Sequence, residues 1–325
     1  MSPTLRRRHL LALPLAALAA RRARADETDS FAAWLERLRR DALAQGVRPA
    51  TLERTLAGLS PIPRVIELDQ RQPEQRLTFA EYRAKIVTPD RVERGHALLT
   101  ANAALLRRVE GRFGVPARVI VALWGIESNF GQHQGSYPVV GALATLAYEG
   151  RRAEFFRKEL INALLIVDSG DVAPEAMLGS WAGAMGQSQF MPSTFLAYAF
   201  DFDHDGRRDI WGSLPDVFAS TANYLARIGW DPSLRWGRAV DAPDHLRDRA
   251  GLDYRAPLGR WRTEGVRLPG GGRLPASAIE ASLLQMDGSE ASYLVYPNFR
   301  TIMNWNRSTY FALCVGLLSD LIETG

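Results

Sequence analysis

Cysteine is almost missing from this chain: one thiol, Cys314, among 325 residues excludes an internal disulfide framework. Histidine is nearly as scarce. Residues 9, 96, 133, 204 and 245 stand apart with no HExxH pair, so a zinc protease has no ligands. No Walker loop, GxSxG elbow or GxGxxG turn occurs, which leaves nucleotide-binding and serine-hydrolase readings unsupported. Long hydrophobic runs are lacking too. The longest, Leu10 to Ala20, is half a membrane crossing and excludes a multi-span membrane protein. Even the basic excess is local. Residues 1–25 hold six arginines and no acid; without them 34 basic residues face 36 acidic ones, and the net charge passes from +4 to −2. Nothing in that balance calls for nucleic acid.

What is present is the material of a globular protein, 46% hydrophobic and 23% charged, which rules out a disordered or fibrous chain. Its length exceeds one ordinary domain. Arg6-Arg7-Arg8, the apolar run and the small-x-small ending Ala23-Arg24-Ala25 are the three parts of an export signal over residues 1–25. Arg7-Arg8 also fits a twin-arginine signal, so the Sec and twin-arginine routes both stay open, as does an N-terminal anchor helix. With no cysteine after the apolar run, lipid attachment at a cleavage-site cysteine is not expected. The expectation is a soluble periplasmic chain starting near Asp26, in which Cys314 is a packing residue.

Helix signals dominate the remainder. Phe31, Trp34, Leu35 and Leu38 fall at helical spacing towards Gly46, and Thr78-Phe79-Ala80-Glu81 is a capping-box pattern. Pro116 opens a nearly all-apolar helix expected to run through Phe130 and close at Gly131. Further helices are expected at 138–149, 152–168, 192–200, 215–228 and 308–322. The stretch 232–295 differs, being rich in Pro, Gly and Arg with short β-type runs. Val266-Arg267-Leu268 before Gly270-Gly271-Gly272, and Leu283–Met286 with Tyr293–Tyr296 around Asp287-Gly288, predict hairpins in a small β insertion.

Two segments carry chemistry. In Trp124-Gly125-Ile126-Glu127-Ser128-Asn129-Phe130-Gly131, residues Ile120, Leu123, Trp124 and Glu127 share one helical face. A carboxyl against apolar surface loses solvation of its anion, and its pKa rises. A proton retained near neutrality is what a glycosidic oxygen needs, as the general acid of lysozyme illustrates; the competing reading is a core-edge glutamate satisfied by an arginine or a capping amide. The second segment is Asp201-Phe202-Asp203-His204-Asp205-Gly206-Arg207-Arg208-Asp209. Carboxylates at loop positions 1, 3 and 5 with Gly at 6 form the first half of an EF-hand calcium loop, where alternate oxygens wrap one hard cation. Gly212 stands where the closing Glu belongs, so Asp216 is the candidate closing ligand; a solvated acidic turn is the alternative. Between them, the small residues and amides of Gly179-Ser180-Trp181 through Gln189-Phe190-Met191-Pro192 suit either close backbone approach to a sugar or plain helix packing.

These segments, with Ala222-Asn223-Tyr224-Leu225, Gly229-Trp230, Pro297-Asn298-Phe299 and Asn304-Trp305-Asn306-Arg307-Ser308, resemble in order the type B lytic murein transglycosylases, from about residue 30 to the C-terminus. The resemblance implies a mainly α (α+β) fold: an α-helical N-terminal part (26–115), a lysozyme-like catalytic core (116–231), the small inserted β domain (232–295) and a C-terminal helical segment (296–325). It implies cleavage of the β-1,4 bond between N-acetylmuramic acid and N-acetylglucosamine in peptidoglycan, leaving 1,6-anhydromuramoyl ends. It implies Glu127 as the single catalytic acid and base, and Ser180, Gln189, Tyr224 and Asn306 as substrate-cleft residues. It implies one structural Ca²⁺ on Asp201, Asp203, Asp205, the Arg207 carbonyl and Asp216, and no organic cofactor. The partner implied is the peptidoglycan glycan strand, without nucleic acid or lipid anchor; cell-wall synthesis and secretion-system proteins are the candidate protein partners. Three positions depart from the family: Asp203 is often neutral, and Trp305 and Phe311 stand where tyrosines are frequent. The readings that compete are a hydrolytic muramidase, which needs a second carboxylate from among acids such as Glu149, Glu154 or Glu159, and a non-catalytic, calcium-stabilised wall-binding protein.

Overall fold

Ser30 accepts a hydrogen bond from the Ala33 amide and opens α1 (Phe31–Ala44), whose Trp34, Leu38 and Ala42 recur at helical spacing and are buried. A computed structural model describes the chain over residues 30–71, 77–149, 151–289 and 291–324. The expected export signal, residues 1–25, lies outside the described residues. Short helices α2 (Pro49–Leu56) and α3 (Pro63–Gln70) each carry proline in the first turn, where its missing amide costs nothing. The reciprocal capping box expected at Thr78 and Glu81 starts α4 (Phe79–Ile86). Helices α5 (Pro89–Ala101) and α6 (Ala103–Phe113) follow, the latter stopped by Gly114 in the left-handed conformation.

The central helix is α7 (Ala117–Ser128), with eight residues buried, including the unbroken run Val119–Gly125. It ends two residues earlier than the sequence predicts. Asn129 and Phe130 take positive φ of 50° and 59°, and the Phe130 amide turns back to the Trp124 carbonyl at 3.2 Å. That reversal lays the Phe130 ring over Gly125, where any Cβ would overlap it. Helices α8 (Val139–Glu149), α9 (Ala153–Ser169) and α10 (Pro192–Tyr198) pack in series, α8 on α9 and α9 on α10, and α11 (Leu214–Arg227) packs on α7, all with bounds within about two residues of expectation. The two-residue strands β1 (Tyr137–Pro138) and β2 (Leu178–Gly179) pair antiparallel.

In the insertion, β3 (Gly237–Val240), β4 (Ala256–Pro257), β5 (Glu280–Gln285) and β6 (Ser292–Val295) form an antiparallel sheet in the order β3-β6-β5-β4. The hairpin expected around Asp287-Gly288 is there, with Leu284 opposite Tyr293. The one expected at Val266–Leu268 is reduced to a tight reversal around Gly270–Gly272: the Leu268 amide donates to the Gly272 carbonyl at 2.7 Å, and isolated bridges join Arg267 to Arg273 and to Asp241 without a strand. A helix, α12 (Leu258–Thr263), occupies part of the region expected to be β. Trp261, Val266, Leu283, Leu294 and Tyr296 make a core separate from the main one. The chain then returns through α13 (Pro297–Trp305) and α14 (Thr309–Thr324). Helix α14 packs on α7, and its Cys314 is fully buried in the main core.

The insertion is fastened to the helical body by Trp236, which is buried and donates its indole N–H to Asp320 at 3.1 Å. Gly316 on α14 makes this seat, because a Cβ there would overlap the indole ring. Gly316→Ala should therefore overpack a rigid contact and destabilise by about 1–3 kcal/mol. The check is urea unfolding, with a lower midpoint at unchanged m value; an unchanged midpoint would contradict the packing.

Candidate active site

Glu127 sits in the last turn of α7 and is only partly exposed. The indole Nε1 of Trp305, at the end of α13, donates to its Oε1 at 2.7 Å. Burial pushes the carboxyl up to about 7, the Trp305 hydrogen bond working against that rise; among the described residues no charged group contributes. The phenol of Tyr82 on α4 lies within electrostatic reach of the same carboxyl. Among the described residues no carboxylate perturbs Glu127. Glu159 is buried and bonds the Ser193 amide and hydroxyl at 2.8 and 2.7 Å, Glu154 pairs with Lys158 at 3.1 Å, and Glu149 borders a hollow with Asp69 and Arg151. Hollows of about 510 and 540 Å³ lie against Ser289 and Ala291 and are not lined by Glu127.

Trp305 also gathers the expected cleft residues. Its ring lies 4.9 Å from that of Tyr224 and 5.2 Å from that of Phe190. The Tyr224 hydroxyl donates to the Asn304 carbonyl at 2.8 Å, and burial pushes this phenol up to about 12. Gln189, beside Phe190, holds a left-handed φ of 48° and donates from Nε2 to the Gly186 carbonyl at 2.8 Å and the Gln134 carbonyl at 3.1 Å. Ser180 is farther along the same segment, its Oγ accepting from the Ala184 amide at 3.0 Å, and bridges between Gly179, Met185 and Phe190 tie the two ends together. Asn306 is exposed beside Trp305, its Oδ1 accepting from the Ser308 amide at 3.1 Å.

Trp124 shares the helix with Glu127, gives its indole N–H to Gln187 and packs its ring against Phe130 and Phe218 at 5.5 and 5.1 Å. The tryptophan bonded to the carboxyl is Trp305, 178 residues away, for which local periodicity held no signal. Phe311, the other departure from tyrosine, is 4% exposed and belongs to the main core.

The acidic loop folds back on α11. Oxygens of Asp201, Asp203 and Asp216 lie within 4.8 Å of one another. Asp216 is fully buried at the start of α11 and accepts the Phe202 and Asp209 amides at 2.7 and 2.8 Å. Burial, joined by repulsion from Asp203 and Asp201, pushes it up to about 6 in spite of those amides. Asp201 Oδ1 is buried with no partner. A crowd of carboxylates with an unsatisfied inward oxygen fits a hard divalent cation, which would supply the missing charge. Asp205 falls outside that cluster, and both its oxygens engage Arg207, the backbone amide at 2.9 Å and the guanidinium at 3.1 Å.

Comparison with known proteins points to one family. Residues 30–320 match the family model of the transglycosylase SLT domain. The membrane-bound lytic murein transglycosylase B of Escherichia coli K12 is 34% identical over 260 residues, covering 75% of this chain and 67% of that protein. The crystal structure of SltB3 from Pseudomonas aeruginosa in complex with NAG-anhNAM-pentapeptide superposes with a TM-score of 0.88 at 46% identity, covering 91% of this chain and 80% of that one. The Escherichia coli lytic transglycosylase SLT35 in complex with calcium follows at a TM-score of 0.76 and 29% identity, over 89% and 92% of the two chains. With the family model matched along nearly the whole described length, and with one raised glutamate at the end of a buried helix, this chain belongs to the transglycosylase SLT domain family, among the type B lytic murein transglycosylases.

Proposed function

We propose that the protein cleaves the β-1,4 bond between N-acetylmuramic acid and N-acetylglucosamine in peptidoglycan and closes a 1,6-anhydromuramoyl ring, with Glu127 as both acid and base. The observation that carries this reading is a lone carboxyl, raised to about 7, hydrogen-bonded to a neutral indole and without a second carboxylate acting on it. Protonated Glu127 gives its proton to the glycosidic oxygen as the C1–O bond breaks. The carboxylate so formed then takes the proton of the muramic O6 hydroxyl while O6 bonds to C1. Glu127 ends protonated and water is not consumed. Hydrolysis would need another carboxylate to direct water or hold the sugar, and Glu149, Glu154 and Glu159 are placed otherwise. SltB3 supports the product assignment, since its ligand carries the anhydro sugar.

Ser180, Gln189, Tyr224 and Asn306 are proposed to bind the glycan, around the aromatic wall of Trp305 and Phe190. One structural Ca²⁺ is proposed on Asp201, Asp203 and Asp216, with Asp205 and the Arg207 carbonyl completing the set; its role there is to neutralise the loop. A substrate of peptidoglycan places the protein outside the cytoplasm, and the leader-like residues 1–25 favour a soluble periplasmic form. No helix among the described residues is long and apolar enough to cross a membrane.

Glu127→Gln keeps the acceptor for Trp305 but cannot carry a proton, so release of anhydro-muropeptides should drop by about 100- to 10,000-fold or more. In the wild type, activity should fall as pH rises through about 7, where Glu127 ionises. The same group, neutral when folded, loses stability between its ordinary pKa of 4.5 and about 7, a span worth roughly 3 kcal/mol. The Gln variant should thus be at least as stable as wild type above pH 7; inactivity together with a large fall in Tm would instead make Glu127 a structural residue.

Trp305→Phe removes the one hydrogen bond that lowers the Glu127 pKa while keeping an aromatic ring. The alkaline limb of the rate profile should move to higher pH. A limb that moves down would mean that water had entered and that the indole acts by exclusion alone.

Calcium should raise Tm, with a gain of about 2.7 kcal/mol at a hundredfold excess over Kd. Asp201→Asn should remove most of the gain, since it takes charge from the cluster's unpartnered oxygen. A wild-type melting curve indifferent to both calcium and chelator would eliminate the metal.

A further inference from the structure

Gln187 lies between the catalytic helix and the acidic loop, 7% exposed, and joins them with both ends of its amide. Its Oε1 accepts the Trp124 indole N–H at 2.7 Å, and its Nε2 donates to the Trp211 carbonyl at 2.8 Å. Its backbone N–H donates to the Ile210 carbonyl at 2.8 Å. Gly131, at a φ of 83°, makes room for this amide, because a Cβ there would overlap it. The contacts continue on the loop side. Asp209 Oδ1 accepts the Trp211 and Gly212 amides, each at 2.8 Å, and the Asp209 amide donates to Asp216 Oδ2 at 2.8 Å. A run of short hydrogen bonds thereby leads from the carboxylate cluster to Trp124, one turn before Glu127.

We propose that Gln187 is a positioning residue, coupling divalent-cation occupancy of the acidic loop to the order of the last turns of the catalytic helix. The proposal rests on the calcium reading above and extends it from stability to the placement of Glu127. A cation on Asp216 and its neighbours fixes the 209–212 turn. Gln187, bonded at both ends of a largely buried amide, can follow that turn only by carrying the Trp124 indole with it, since breaking either bond strands a buried polar group. Trp124 is in turn wedged between Phe130 and Phe218, so its position is passed to the helix backbone. Gln134 makes a longer parallel strap, from its Nε2 to the Gly131 and Trp211 carbonyls at 3.2 and 3.3 Å.

Hydrogen exchange with and without CaCl₂ tests this on the whole chain. In the wild type, calcium should slow amide exchange both at 201–216 and at 122–131. In Gln187→Leu the slowing at 201–216 should persist, while that at 122–131 should shrink by roughly threefold or more, the Gln134 strap accounting for the remainder. The kcat for anhydro-muropeptide release in calcium should fall about tenfold at nearly unchanged KM, as expected when a reacting group is misplaced and the glycan contacts are intact. Trp124→Phe removes the same hydrogen bond from the other side and should repeat the pattern, which secures the test if the Leu variant does not fold. Calcium protection at 122–131 that survives undiminished in either folded variant overturns the coupling. Slowing confined to 201–216 in the wild type overturns it while leaving the calcium site standing, and no slowing in either segment removes the calcium site and the coupling together.

Discussion

A carboxyl kept from water without a counter-charge is the constraint on which this structure turns. Glu127 meets a neutral indole N–H where an arginine would have been the ordinary partner. A guanidinium at that position would hold the carboxylate ionised and take away the proton that the proposed bond cleavage uses. Arg94, on α5, is occupied otherwise: it spans Asp90 at 3.8 Å, Asn129 Oδ1 at 3.4 Å and the face of Phe130 at 5.2 Å. The hydrogen bond from Trp305 orients the acid and lowers its pKa only in part, leaving it about 7.

Holding a group that would rather be hydrated requires a frame that does not relax. The buried run Val119–Gly125 places α7 in the middle of the main core, and α14 packs along it. The reversal at Asn129 and Phe130 stops the helix one residue after Glu127, at Ser128, so that the acid stays at the rim instead of being carried deeper. From the other side, Trp305 is wedged between Phe190 and Tyr224, and Tyr224 is itself pinned through its hydroxyl to the Asn304 carbonyl. The segment 179–190 and the acidic loop meet this frame through glutamine amides, which suit places where two loops need both a donor and an acceptor.

Much of this is legible in the residues. The capping box at Thr78, the spacing of Trp34 and Leu38, and the hairpin around Asp287-Gly288 are local patterns, and local energetics make them. The end of α7 is not legible, because Asn129 and Phe130 are not glycines; their left-handed backbone is held by tertiary packing of the Phe130 ring on Gly125. The helix at Leu258–Thr263 escapes sequence reading for a similar reason, since Leu258 and Trp261 are buried only against strands distant in sequence.

The sequence by itself determined that Glu127 ends an apolar helix and that carboxylates alternate through 201–205, since both follow from residue spacing along one stretch of chain. It also carried the family, through long motifs in one order that no single interaction requires. Only the tertiary structure decided which tryptophan holds the acid, how closely Asp216, the closing residue the loop spacing offered, approaches Asp201 and Asp203, and that Gln187 bonds both Trp124 and Trp211. Those contacts join residues between 13 and 178 positions apart in the chain. Helical and strand periods report which face a residue shares with its near neighbours; which distant group comes to meet that face is set by how the whole core packs.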